Sequence, residues 1–262
     1  MVGAYAAAVA DGHVVERLRA AGCVFAEEEA RLLVAAAADE AELERLVRRR
    51  VVGVPLEHLL GWVEFGGVRV VVEPGVFVPR RRTEFLAASA VAVARAGSVV
   101  VDLCCGAGAI AAVVAASVPG VRVFAADVDP VAVRCARRTL AGTGAVVCEG
   151  DFDAALPVCL VGRVDVLVAN VPYVPSAEIE LMPPEARVYE PRAALDGGVD
   201  GLAVVRRLLG VASRWLGVRG RVLFEVGAAQ VGAAVSEVEA AGLVAEVRSC
   251  EEREATVVVG SR

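Results

Sequence analysis

The sequence contains no lysine, one asparagine (Asn170), one glutamine (Gln230) and two isoleucines, while alanine, valine, glycine and arginine abound. Such a bias fits a GC-rich coding background, which works against asparagine, so a lone asparagine at a strand end is a residue to explain. Positive charge is also short. All 27 basic residues are arginine, and with 33 acids they leave a net charge of −6. A broad nucleic-acid-binding surface is normally basic, so that class is disfavoured. The seven cysteines form no C-x-x-C pair and no zinc spacing, and the adjacent Cys104 and Cys105 are poorly placed to pair with each other. The thiols therefore read as reduced, the chain as cytoplasmic, and no metal site is expected. An uncharged run from Leu103 to Val121 raises the question of a membrane span. Gly106, Gly108, Pro119 and Gly120 divide it into a loop, a helix and a turn, which argues against one. No basic stretch precedes the amino-terminal alanines, which argues against a secretory signal.

At 262 residues the chain is one large domain or a domain with an appendage. Residues 1–50 place Leu18, Phe25, Leu32, Leu33, Leu43, Leu46 and Val47 at helical spacings, predicting two or three short helices with breaks near Gly22 and Asp39. Arg48-Arg49-Arg50 closes the last. It reads either as a solvated helix end, where cations suit the dipole, or as a patch for an acidic partner such as RNA. Residues 51–82 predict a β-hairpin about Gly66-Gly67 and an extended segment to Arg80. Arg80-Arg81-Arg82 is a solvated loop or a substrate-facing one, and Thr83 is the expected cap of a helix to about Ala96. From Ser98 strands alternate with helices, so residues 83–262 predict an α/β, Rossmann-like doubly wound sheet. A long connection, 171–198, carries five prolines and no expected structure, and loops of that length are usually functional.

Chemistry concentrates where the strands end. The first, Val99–Asp102, runs into Leu103-Cys104-Cys105-Gly106-Ala107-Gly108, where glycines let a ligand approach the backbone at a helix start. A dinucleotide site would want G-x-G-x-x-G. Here Cys104 replaces the first glycine, and Asp102 would repel a pyrophosphate. The pattern suits an ammonium group and ribose hydroxyls instead, which points from NAD toward S-adenosylmethionine. Asp127 ends the second strand, where a ribose-binding acid sits in nucleotide-binding βαβ units. Asp129 is placed to cap the helix opening at Pro130. Asp151 and Phe152 follow the third strand, suited to an adenine amino group and ring, although Asp151 also reads as a solvated turn residue. Asn170-Val171-Pro172-Tyr173 follows the buried strand Val164–Ala169. Methylating a planar amide or aryl amine requires fixing a delocalised lone pair. The Asn170 side-chain oxygen and the Val171 carbonyl can accept the two N–H groups, Pro172 stiffens the turn, and Tyr173 can stack on the planar group. A proline turn capped by asparagine is the bland alternative.

These motifs, in this order, resemble class I S-adenosylmethionine-dependent methyltransferases of the (N/D/S)-P-P-(Y/F) type. Within them the chain resembles the HemK/PrmC family of protein-(glutamine-N5) methyltransferases. His58-Leu59-Leu60-Gly61, Glu64-Phe65-Gly66-Gly67, Pro74-Gly75-Val76-Phe77-Val78-Pro79-Arg80 with Thr83-Glu84, and Glu190-Pro191 through Asp200-Gly201-Leu202 carry the likeness further. The resemblance implies a helical domain (1–50) that recognises a peptide chain release factor, a hairpin linker (51–82) and a catalytic domain (83–262) acting on the glutamine of a Gly-Gly-Gln loop. It implies that Cys104, Cys105, Gly106, Ala107, Gly108, Asp127, Phe152 and Asn170 contact the cofactor, and that Asn170 to Tyr173 hold the amide. Arg80 and Thr83 are candidate substrate-facing residues. Val171 replaces the family's first proline, Cys104 and Cys105 stand for glycine and a small polar residue, and the arginine-rich 80–82 segment also departs, marking a divergent branch. Competing readings are an adenine-N6 methyltransferase on DNA or RNA, a methyltransferase of another protein such as a ribosomal protein, a cofactor-binding scaffold without catalysis, and, least favoured, an NAD-dependent oxidoreductase.

Overall fold

A computed structural model describes residues 12–262; the expected helical segment from residue 1 to 11 lies outside them. A helix over 12–20 (α1) is followed by α2 (Ala26–Ala36), α3 (Glu40–Val51) and the short α4 (Leu56–Leu60). The breaks fall where expected. Gly22 has φ 90°, and the Asp39 side chain accepts from the Glu42 amide to cap α3. Val14, Leu18, Leu33, Leu46 and Val47 bury one another as a core of their own. Arg50 is neither a solvated helix end nor part of a free basic patch. It is buried, and it bridges Glu29 and Glu185, each at 2.5 Å.

Strands β1 (Trp62–Phe65) and β2 (Val68–Val71) form the expected antiparallel hairpin. Gly66 and Gly67 both take positive φ, as the tight turn demands. A 3-10 turn over Arg81–Thr83 leads into α5 (Glu84–Val93). Thr83 precedes α5 but does not cap it with its side chain, a correction to the sequence expectation, because its hydroxyl is directed to Asn170.

The larger unit runs β3 (Val99–Leu103), α6 (Ala109–Ser117), β4 (Arg122–Asp127), α7 (Pro130–Thr139), β5 (Val146–Glu149), β6 (Val164–Ala169), α8 (Pro184–Tyr189), α9 (Ala203–Trp215), β7 (Leu216–Val226), α10 (Val231–Ala240), β8 (Val244–Cys250) and β9 (Ala255–Ser261). Its seven-stranded sheet has the order β5-β4-β3-β6-β7-β9-β8, with β9 antiparallel to both neighbours. Side chains alternate across the sheet. Val100, Val166, Val168 and Leu223 pack toward α5, α6 and α7. Val101, Leu103, Leu167 and Phe224 pack toward α9 and α10. The alternation of strands and helices was readable because both faces are buried. Between β5 and β6 two 3-10 turns, Phe152–Ala155 and Val158–Leu160, stand where a crossover helix would be. Segment 171–198 is not structureless as expected: it contains α8 and two further 3-10 turns. Its prolines start α8 instead of breaking it, since proline suits a first helical position. No helix among the described residues is long and apolar enough to cross a membrane. The run from 103 to 121 resolves into a loop, α6 and a turn.

Candidate active site

Strands β3 and β6 are neighbours, with Leu103 opposite Ala169, and the sheet order reverses between them. Ligands in open α/β sheets bind at such a switch point, outside the carboxyl ends of the strands. A cavity of about 210 Å³ lies there. It is lined by the Cys104–Ala107 loop, Asp127 and Asn170, together with Phe65, Phe77 and Arg80.

Asp102 is buried at the cavity floor. Its Oδ2 accepts from the Ala111 amide at 3.0 Å, tying β3 to the start of α6. Its Oδ1 has no partner. Burial pushes the carboxyl up to about 7. Asp127 ends β4 and accepts from the Gly106 amide at 2.8 Å and the Asp129 amide at 2.9 Å, so it shapes the glycine loop as well as facing the cavity. Burial raises its pKa too. Asp129 caps α7 as expected, accepting from the Val131 amide. Gly106 has φ 54° and open space where a side chain would point. Gly108 abuts Ala136 and Leu140, so its role is close packing of α6 on α7. Cys104 takes φ 56°, a left-handed conformation that costs a non-glycine residue about 1–2 kcal/mol. Burial pushes its thiol up to about 12 and raises that of Cys105 well above its ordinary value. Neither is a thiolate near neutral pH, so the doublet supplies no nucleophile.

Asn170 ends β6. Its amide nitrogen faces the Thr83 hydroxyl at 3.5 Å, and its Oδ1 is buried without a partner. Val171 is buried beside it and Pro172 lines the cavity. The Tyr173 hydroxyl donates to Glu225 at 2.9 Å and accepts from Arg82. Arg80 pairs with the buried Glu190 at 2.6 Å, and Glu190 also accepts from the Val78 amide. Asp151 and Phe152 are not among the cavity's lining residues. Asp151 pairs with Arg207, whose guanidinium lies 4.5 Å from the centre of the Phe152 ring. Glu225, Gln230 and Glu190 had no expected site role, although Glu190 lies in a family-like segment and Gln230 is the lone glutamine. A lone acid in the apolar run Val222–Val226 and the single glutamine were the available signals.

The residues present fit S-adenosylmethionine. Asp102 offers a buried acceptor lacking its donor, as an ammonium group would supply, Asp127 at the end of β4 lines the same cavity, and the loop leaves space beside Gly106. Fold and site together define a class I methyltransferase. The "Methyltransferase small domain" family model matches residues 67–225, more than half the chain, and the chain belongs to that family. A release factor glutamine methyltransferase of Mycolicibacterium smegmatis is 42% identical over 189 residues, 71% of this chain and 66% of that protein. A 4-amino-L-phenylalanine/4-methylamino-L-phenylalanine methyltransferase of Streptomyces pristinaespiralis is 37% identical over 203 residues, 75% of this chain and 69% of that protein. The chain thus spans about two thirds of the length of such relatives. Among solved structures, a methyltransferase from Pyrococcus furiosus matches with a TM-score of 0.57 at 16% identity, over 82% of this chain and 96% of that one, a likeness of fold.

Proposed function

We propose that the protein methylates the side-chain amide nitrogen of a glutamine in a protein, a peptide chain release factor being the substrate. One observation carries this reading. Asn170 holds a buried, unpartnered acceptor at the cavity while its own amide nitrogen is turned to Thr83. An acceptor left orphaned in that way costs about 1–3 kcal/mol unless a ligand donates to it. Relatives named release factor glutamine methyltransferase, at 38–42% identity, support the choice of glutamine.

The cofactor, when bound, supplies an electrophilic methyl on a sulfonium. Everything else falls to the chain. Asp102 would accept from the ammonium end and Asp127 from the ribose, beside the Cys104–Ala107 loop. Asn170 Oδ1 and the Val171 carbonyl accept the two amide N–H groups and turn the nitrogen lone pair toward the methyl. These hydrogen bonds strengthen as the nitrogen becomes cationic, so they stabilise the transition state more than the ground state. Tyr173 packs on the planar amide. The methylated nitrogen is acidic and loses its proton to water, so no general base is required. A release factor substrate is cytoplasmic, in keeping with the reduced thiols.

A second reading has one observation in its favour: the relative named for 4-amino-L-phenylalanine. An aryl amine presents the same planar N–H pair. Contact with RNA through arginines is less favoured, because Arg50, Arg80 and Arg82 are committed to acids.

Tritiated S-adenosylmethionine tests the reading, offered with release factors, a Gly-Gly-Gln peptide, 4-amino-L-phenylalanine, ribosomal proteins, DNA and RNA. Label in the peptide glutamine is expected, falling by about 100-fold or more in Asn170→Ala. Label in the aryl amine alone selects the second reading, and label confined to ribosomal protein or nucleic acid overturns both.

A further inference from the structure

We infer that Glu225 and Gln230 are positioning residues for the Asn170–Tyr173 turn, gripping Tyr173 at its two ends. The inference deepens the methyl-transfer reading and rests on it for its kinetic consequences. Neither residue lines the cavity, so each acts through Tyr173, which does.

The hydroxyl end is determined by counting donors. A phenol has one proton to give and lone pairs to receive. Arg82 Nη2 donates to the hydroxyl oxygen, and the hydroxyl proton goes to Glu225 Oε1 at 2.9 Å. Arg82 Nε meets that same carboxylate oxygen at 3.0 Å, supplying the countercharge a buried acid needs. The arginine also lies over the ring, 5.3 Å from its centre. Swinging the side chain about its Cα–Cβ bond would break both hydroxyl contacts.

At the other end, Gln230 Nε2 donates to the Tyr173 carbonyl at 2.9 Å and to the Asp200 carbonyl at 3.1 Å. Its Oε1 accepts from the Gly227 amide at 3.0 Å, so both halves of its amide group are engaged. The bond to Tyr173 fills the space beside Gly201. A Cβ there would lie 2.2 Å from Gln230 Nε2 and 2.3 Å from the Tyr173 oxygen. Glu225 lies within β7, and Gly227 to Gln230 follow it directly, so one strand end carries both grips.

The grip bears on the chemistry through Val171. Proline would lock φ at that position and valine does not. With Tyr173 held at hydroxyl and carbonyl, the turn is restrained from its far end, and the Val171 carbonyl and Asn170 amide keep their relative placement. A misplacement of about 1 Å in such a pair costs on the order of 100-fold in rate.

The test uses the full chain in five variants. Glu225→Leu is expected to lower kcat for the peptide or amine acceptor 10- to 100-fold with little change in its KM, and Glu225→Gln, which keeps an acceptor, to recover most of the loss. Tyr173→Phe should match Glu225→Leu, and the double variant should be no worse than either single one. A purely structural role would give multiplying losses. Gln230→Ala probes the carbonyl end if the strand variants fold poorly. Fluorine NMR of 3-fluorotyrosine-labelled protein gives an independent readout. The Tyr173 signal, assigned by its absence in Tyr173→Phe, should shift toward that of free fluorotyrosine in Glu225→Leu and Gln230→Ala. An unmoved signal in both variants overturns the inference, as does Glu225→Leu turning over within twofold of wild type. If wild type methylates no acceptor, the function reading fails and the fluorine signal alone decides the grip.

Discussion

Asp102 is one of the residues whose meaning the structure enlarges most. In the sequence it is an acid too close to a glycine loop for a pyrophosphate. In the fold it is a buried carboxyl with one oxygen tied to α6 and the other without a partner, its pKa pushed up to about 7. Near pH 5 it is protonated and has to ionise before it can offer an ammonium group a countercharge. Cofactor binding therefore releases a proton, and affinity should rise with pH, approaching tenfold per unit below 7 and levelling above it. Calorimetry of S-adenosylmethionine binding from pH 5.5 to 8 checks this. Asp102→Asn should bind at least tenfold more weakly at pH 8 and lose the slope, and a variant that keeps wild-type affinity at pH 8 removes Asp102 from the site. Asn170 was legible for a different reason: composition made it conspicuous and the buried strand before it was unambiguous. Glu225 and Gln230 were not, because their partners are 52 and 57 residues away in the chain, and no local pattern encodes contacts at that distance.

At the scale of elements, Arg50 shows the same limit from the opposite direction. As the end of Arg48-Arg49-Arg50 it looks solvated or poised for an acidic partner. It is instead buried between Glu29 on α2 and Glu185 on α8, joining the helical core to the segment that follows the Asn170 turn. Removing one partner of a buried pair strands the other charge, at a cost of about 3–5 kcal/mol. Removing an exposed partner costs under about 1 kcal/mol. Glu29 is largely buried and Glu185 is about half exposed. Urea unfolding should therefore show Arg50→Ala destabilised by roughly 3 kcal/mol or more and Glu185→Ala by less than about 1. Equal effects would mean that the arginine is held by Glu185 and not by Glu29. The strands, helices and crossovers of the sheet were legible because period-2 and period-3.6 patterns report burial directly. The insertion of β9 between β7 and β8 was not, since pairing order depends on contacts that no single segment carries. Nor was α8, because consecutive prolines signal a loop as readily as a helix start.

The whole molecule carries a net charge of −6, and its acids titrate in two opposed groups. Asp102, Asp127 and Glu190 have pKa values raised by burial. A carboxyl whose folded pKa lies above its unfolded value favours the folded state at low pH, and that contribution is lost as pH rises toward the folded pKa. For Asp102 the window runs from about 4 to about 7. Glu44 and Asp200, hydrogen-bonded to arginines, are held down at about 2. Their contribution is present above about 4 and is lost as pH falls toward 2, and both are exposed enough for solvent to weaken it. The Asp102 contribution predicts that the melting temperature of the cofactor-free protein falls as pH rises from about 4 to about 7. Saturating S-adenosylmethionine reverses the part due to Asp102, since an ammonium partner stabilises the ionised carboxyl and ligand binding stabilises only the folded state. The increase in melting temperature on adding cofactor should therefore grow between pH 5 and pH 7 and then level, and Asp102→Asn should abolish that growth. Calorimetric scans at matched cofactor concentration across that range decide it. An increment that is constant with pH, or that shrinks as pH rises, would show that the buried Asp102 carboxyl is not what the cofactor engages.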